Sequence, residues 1–276
     1  FLERAKALDL SVILSLSYEL FDAHCPQDWK QRAFNGDPAL TGWSPPSALL
    51  SPANGDAMAY LQSVARAFVD LAVAAGQAPR FQVGEPWWWV MPDGRICLYD
   101  DAAKTALGGD PVEIANVRST TLTAAQKALL DAAGELLAVS TLALVDAVRA
   151  AHPACESLIL VYLPTVLDAA APDLKRANVP LGWASPAFDV LQLEDYDWVT
   201  AGQTGASRSG IEMMETRLGY PKERRHYMSG FVLMPADRLQ WREIDAAADA
   251  SASRCTSSSM RHATRCARDR LPTSPA

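Results

Sequence analysis

Val83-Gly84-Glu85-Pro86 is the sharpest chemical feature of the chain. An apolar run delivers a carboxylate and then meets Pro86, which cannot donate to a strand ladder and turns the chain. Trp87, Trp88 and Trp89 follow at once. Strand alternation predicts Phe81, Val83, Glu85 and Trp87 on one side, with Glu85 at the top of a barrel interior beside indole surface. An apolar wall raises a carboxyl pKa, which suits a general acid, and indole faces suit the apolar faces of sugar rings. A structural reading competes, in which Glu85 caps a loop or pairs with Arg80 or Arg95.

Glycoside hydrolysis needs a second carboxylate, about 5–5.5 Å away for retention and about 6.5–9.5 Å for inversion. Glu19 and Glu194 are the candidates, with Asp195 and Asp197 beside the latter. In residues 191–198, Leu191 and Leu193 alternate with Gln192 and Glu194. If the leucines face helices, Glu194 points inward with Gln192. Asp195 and Asp197 read as solvated loop acids. Tyr18, Tyr162, Tyr196, Trp87 and Trp88, with Glu19, are the candidate substrate-binding residues, joined at strand ends and in loops by Trp29, Trp43 and Trp183. Each alone reads as packing; as a group they suggest an aromatic-lined groove.

Other chemistry is thin. His24, His152, His226 and His262 lie far apart and read as structural. His24-Cys25 has no acid or base pattern to make a nucleophile. The five cysteines form no CxxC pair and have no zinc spacing, so no metal and no cofactor is expected, and free thiols in a reducing compartment are. A net charge of -7 repels phosphate backbones and sets nucleic acid aside as a partner.

The elements that must position these groups alternate. Residues 12–19, 81–90, 157–163, 188–199 and 227–234 read as strands; residues 58–75 and 123–151 read as helices, the second capped by Thr121 or Thr123. That order implies parallel pairing, which an open doubly wound sheet and a closed barrel both satisfy. The barrel is favoured because no glycine-rich phosphate loop follows a strand, because acids and aromatics gather at strand C-termini, and because residues 24–54 form a long loop there. The expectation is an incomplete glycosidase-like (β/α)8 barrel over residues 1–250, with barrel strands three to seven recognisable. Strands one and two are expected upstream of Phe1, and strand eight is missing. Residues 251–276 hold six Ser and five Arg against one acid, so a disordered tail is expected, read as a frameshifted or misassembled end. No window of 18 apolar residues and no leader is seen, so no membrane span is expected.

Gly84-Glu85-Pro86 resembles the Asn-Glu-Pro signature of the large clan of retaining glycosidases, whose Glu ending strand four is the acid/base. Gly84 stands where that clan has the sugar-contacting Asn. The clan's nucleophile ends strand seven, and residues 227–235 hold no acid. Both departures count against ordinary retaining catalysis. The chain more closely resembles the TIM-barrel domain of phage and prophage tail proteins of the non-contractile tail-sheath type. Residues 15–26, 83–89 and 193–198 carry that likeness, which covers residues 1–250. It implies a glycosidase-like barrel in a virion tail, assembled in the bacterial cytoplasm, with other tail proteins and cell-surface glycan as partners. The leading function is structural or glycan-binding. The alternative is an active hydrolase of surface glycan, with Glu85 as general acid and Glu194 as its partner.

Overall fold

The computed structural model describes residues 1–228 and 235–251. In chain order the elements are α1 (Leu2–Ala7), β1 (Leu14–Ser17), β2 (Glu19–Phe21), β3 (Ser47–Leu49), α2 (Gly55–Ala74), β4 (Arg80–Gly84), α3 (Asp101–Ala106), α4 (Ala124–Arg149), β5 (Glu156–Tyr162), α5 (Leu163–Val166), α6 (Lys175–Asn178), β6 (Val190–Glu194), α7 (Tyr196–Thr200), α8 (Thr204–Leu218), β7 (Arg225–Met228) and α9 (Trp241–Ser251).

Local signals set the long helices. Asn54 caps α2 by accepting from the backbone N–H of Ala57. Thr123 and Gln126 form a reciprocal capping box at the start of α4. Both helices lay an apolar stripe inward: Leu61, Ala65, Val69 and Ala72 from α2; Leu130, Leu137 and Leu144 from α4. Burying each such leucine contributes about 1.5–3 kcal/mol. By length and composition alone, α2 and α4 reach what a membrane crossing needs, a test that mostly buried core helices also pass. Part of that apolar surface is buried here against the rest of the fold, while Leu71 and Val73 of α2 and Val139 of α4 stay exposed.

One parallel sheet runs β1-β4-β5-β6-β7, and the described part of it does not close on itself. These are the five expected barrel strands; β1, β4 and β6 end earlier than expected, and β7 is described from Arg225 to Met228. The expected strand over residues 12–19 breaks after Ser17, and Glu19 enters a separate antiparallel pair, β2 with β3. The break follows from the loop: the backbone N–H of Leu50 donates to the Tyr18 carbonyl, drawing the chain away from β4. The run over residues 81–90 leaves the ladder at Gly84, before Pro86. The run over residues 188–199 turns helical at α7. Of residues 227–234, those from 229 on lie outside the described residues, as does the expected Ser/Arg-rich tail beyond Ser251.

The sheet has two unlike faces. Phe81, Val83, Ile159, Val161, Leu191 and Leu193 join the hydrophobic core with the helices. Register and the two-residue period put Gln82, Leu158, Leu160, Tyr162, Gln192, Glu194 and His226 on the other face. The Gln82 amide donates to the Gln192 carbonyl oxygen across β5, as only side chains on one face can. This second face is the barrel interior.

The loop over residues 24–54 is folded, not slack. Lys30, nearly fully buried, is neutralised by Asp22 at 2.7 Å, and bridges join Lys30 to Leu50, Arg32 to Pro38 and Leu40 to Ala48.

Candidate functional site

The interior face ends upward in Gly84 on β4, Tyr162 on β5 and Glu194 on β6, with Tyr162 paired in register to Glu194. Glu194 is 1% exposed, and its Oε1 has no hydrogen-bond partner among the described residues. Gln192 lies one layer below it on the same strand.

Glu85 reaches the mouth by another route than alternation. Phe81 and Val83 face the helices, so a continued pleat would aim Glu85 there as well, which corrects the expectation that all three share the interior face. Instead Glu85 takes φ 48°, in the left-handed region, while its N–H still donates to the Leu160 carbonyl at 3.2 Å. That conformation costs a non-glycine residue on the order of 1 kcal/mol or more. It breaks the pleat and brings the carboxyl within reach of Glu19 and Glu194, whose charges interact with it.

Three glutamates are thus linked in series by their charges: Glu19 from β2 acts on Glu85 after β4, and Glu85 acts on Glu194 from β6. Burial, then the charge of Glu19, pushes the Glu85 carboxyl up to about 7. Burial, then the charges of Glu85, Asp195 and Asp197, pushes Glu194 up to about 8. Burial also raises Glu19, offset in part by a hydrogen bond from Ser47. Among the described residues no Lys or Arg pairs with any of the three. The pairing reading of Glu85 is overturned, because Arg80 holds Glu156 at 2.9 Å and Arg95 holds Asp37 and Asp93 at 2.7 and 2.8 Å.

Asp195 and Asp197, expected to be alike, separate. Asp197 is exposed. Asp195 is fully buried; the Tyr227 hydroxyl donates to its Oδ1, and its Oδ2 has no partner among the described residues. Tyr162 and Tyr196 pack with ring centroids 5.2 Å apart beside these acids. Burial, followed by Asp197, pushes the Tyr162 hydroxyl far up, and burial followed by Glu194 raises Tyr196.

The other candidate aromatics divide. Trp88 is fully buried: its indole N–H donates to the Ala133 carbonyl on α4 at 2.9 Å, and Asn178 brackets its backbone at 2.8 and 3.0 Å. Tyr18 is 1% exposed and its hydroxyl bonds Ser140 on α4 at 3.0 Å. Both expected ligand contacts are therefore corrected to core residues, because each finds its polar partner on a helix and not over the mouth. Trp183 is core as well, donating to Thr141 Oγ1 at 2.8 Å. Trp87 is buried, with its indole N–H unpartnered among the described residues.

Gln31 escapes sequence reasoning. Its amide donates to the carbonyls of Leu50 and Trp87, at 3.1 and 2.9 Å, and its oxygen accepts from the Trp89 N–H at 2.8 Å. One buried side chain thus staples the long loop to the segment after Glu85. A lone glutamine in a polar loop has no pattern to reveal this. Tyr227 is a similar case: its strand is legible, its tie to Asp195 is not.

Gly84 has a spatial explanation. A Cβ placed there would stand 2.5 Å from Ser15 Oγ on the neighbouring strand. Gly84→Asn, which restores the glycosidase signature, is expected to cost about 1–3 kcal/mol by overpacking, and Gly84→Asn with Ser15→Ala to recover most of it. Chemical denaturation of both variants checks this; a fully stable single variant refutes it.

The remaining candidates do not assemble into other chemistry. His152 bonds Asp70 at 2.6 Å, and Cys25, Cys97 and Cys155 are buried free thiols. Among the described residues no group of three or more His, Cys, Asp or Glu could hold a metal ion.

No curated protein matches the chain. Its structure is similar to that of the PgaB (BpsB) glycoside hydrolase domain from Bordetella bronchiseptica, with a TM-score of 0.56 and 15% identity, over 88% of this chain and 69% of that one. A likeness at that identity shows the fold alone, and with the parallel strand order it makes this an α/β chain of the TIM-barrel class. A family model, that of the non-contractile tail sheath protein TIM barrel, matches residues 1–269, and the chain belongs to that family.

Proposed function

We propose that this tail-sheath barrel binds glycan at its mouth, through Glu85, Glu194 and Glu19 with Tyr162 and Tyr196, and does not hydrolyse it. The supporting observation is that the charge of Glu85 acts on Glu194 and that of Glu19 on Glu85, with no Lys or Arg paired to any of the three among the described residues, beside a tyrosine pair. Carboxyls poised between protonated and ionised donate and accept hydrogen bonds, as sugar hydroxyls require. The family supplies the setting, a tail component among other tail proteins. Assembly in the bacterial cytoplasm, a phage or prophage source and a host-surface glycan complete the reading.

Glu194 argues against turnover. Burial, then its acidic neighbours, pushes its carboxyl up to about 8, which disfavours the ionised form that a nucleophile or base requires. A second reading, hydrolysis, has one observation in its favour: Glu85 at about 7 suits a general acid working near neutrality.

A mixed panel of bacterial surface glycans tests both. Retention of at least one glycan class, weakened about tenfold or more in Glu85→Ala, is expected, with no new reducing ends. Reducing ends released by the unaltered protein and absent with Glu85→Gln would establish the hydrolase. Retention of no glycan at all would leave the barrel a structural element of the tail.

A further inference from the structure

We infer, resting on the reading of Glu85 as a ligand contact, that Gln31 and Asn178 are positioning residues: two buried carboxamides that clamp the chain just after Glu85 and so hold its left-handed turn at the mouth. Residues 86–89 belong to no strand, yet their backbone is not left open. From the Trp87 carbonyl to the Trp89 carbonyl, every N–H and C=O has a partner. Gln31 donates to the Trp87 carbonyl at 2.9 Å and accepts from the Trp89 N–H at 2.8 Å. Asn178 accepts from the Trp88 N–H at 2.8 Å and donates to the Trp88 carbonyl at 3.0 Å. The Trp89 carbonyl accepts from the Cys97 N–H at 2.8 Å. Backbone groups of an extended chain alternate in direction, so the two carboxamides grip the segment from opposite sides, as two flanking strands would.

Both side chains are fully buried and firmly seated. The Gln31 N–H donates to the Leu49 carbonyl at 2.8 Å, and its carbonyl accepts from Ala39 at 2.9 Å. Asn178 ends α6, where its N–H donates to the Leu174 carbonyl at 3.1 Å.

A second observation lies at Glu85 itself. Its φ of 48° is one that an L-residue leaves unless its surroundings hold it there. On one side its N–H is tied to the Leu160 carbonyl at 3.2 Å. On the other, the ring of Pro86 fixes φ, and the Gln31 bond takes hold at Trp87. Few free torsions lie between those points, so the strain is imposed from both ends. Satisfying buried polar groups explains the bonds and leaves the strain unexplained. Because Gln31 belongs to the loop over residues 24–54, the seating of that loop also sets where the Glu85 carboxyl stands.

The test compares Glu85→Gly with Glu85→Ala in thermal melts. Both remove the carboxyl, but only glycine takes a positive φ without strain. With Gln31 and Asn178 intact, the glycine variant is expected to melt about 2–4 °C higher. Adding Gln31→Met, close in volume and unable to make these bonds, should close or invert that gap, because alanine can then relax; Asn178→Leu should act in the same direction. With Glu85 present, Gln31→Met, its fold verified by circular dichroism, should weaken retention in the glycan panel about tenfold or more. No gap between the glycine and alanine variants in the otherwise unaltered protein overturns the clamp, even where Gln31→Met fails to fold. A gap of the same size in all three backgrounds shows that the carboxamides serve stability alone and overturns the positioning role. A closed gap with glycan retention unchanged overturns it too. Retention of no glycan by the unaltered protein sinks the glycan reading, and the melts then decide the clamp by themselves.

Discussion

Trp88→Ala is expected to destabilise the protein by about 3–5 kcal/mol, lowering Tm by about 6–15 °C. The indole is fully buried under α4, so its removal leaves a cavity that neighbouring helices cannot fill without moving. Its hydrogen bond to the Ala133 carbonyl is lost with it. Gly134, next along α4, already approaches the chain closely: a Cβ there would stand 2.2 Å from the Arg176 carbonyl oxygen at α6. Little slack remains around the site to absorb the loss. Trp88→Phe keeps most of the volume and should recover a large part of it. A thermal melt with circular dichroism checks the effect. A Tm within about 2 °C of the unaltered protein would show that Trp88 is not the core anchor and would return it to the list of ligand contacts.

Glu194→Gln is expected to stabilise the protein increasingly as pH rises from about 4.5 to 8, and to leave it unchanged below that range. The direction follows from the raised carboxyl. From its ordinary value of 4.5, Glu194 moves up to about 8 in the fold. Between those values the unfolded chain has released this proton and the folded chain has kept it. Stability from this group is therefore fully present below about pH 4.5, falls as pH rises towards 8, and is flat beyond. Glutamine cannot ionise, so the variant escapes that fall. At pH 9 its advantage is on the order of 3 kcal/mol, shared with Glu85 because the two acids titrate together. Tm of both proteins measured from pH 4 to 9 decides the point. A difference of the same size at every pH would mean that glutamine changes packing, and that the acid carries no buried charge worth relieving.

Much of the frame was legible. The five parallel strands follow from short β-rich runs between helical periods, and the cap at Thr123 is local chemistry that neighbouring residues decide. Leu191 and Leu193 alternating with Gln192 and Glu194 had only to meet one apolar surface for both faces to be assigned. The antiparallel pair of β2 and β3 was not legible. It joins residues 19–21 to residues 47–49 across a long loop, and nothing local marks that pairing.

The sequence by itself determined where carboxylates end strands and which helices have an apolar stripe, since both are properties of a few adjacent residues. It also placed Glu85 before a proline, where the ladder must stop. Only the tertiary structure decided what those residues face. Trp88 and Tyr18 became core because α4, from more than 40 residues away in sequence, offered their polar atoms Ala133 and Ser140. Asp195 was buried, and Asp197 left exposed, by a tyrosine from β7. Glu85 turned to the mouth through a single left-handed φ that breaks the very alternation used to predict it. The physical reason is common to all of these: periodicity assigns a side chain to a face, and burial and partners depend on what the rest of the chain packs against that face.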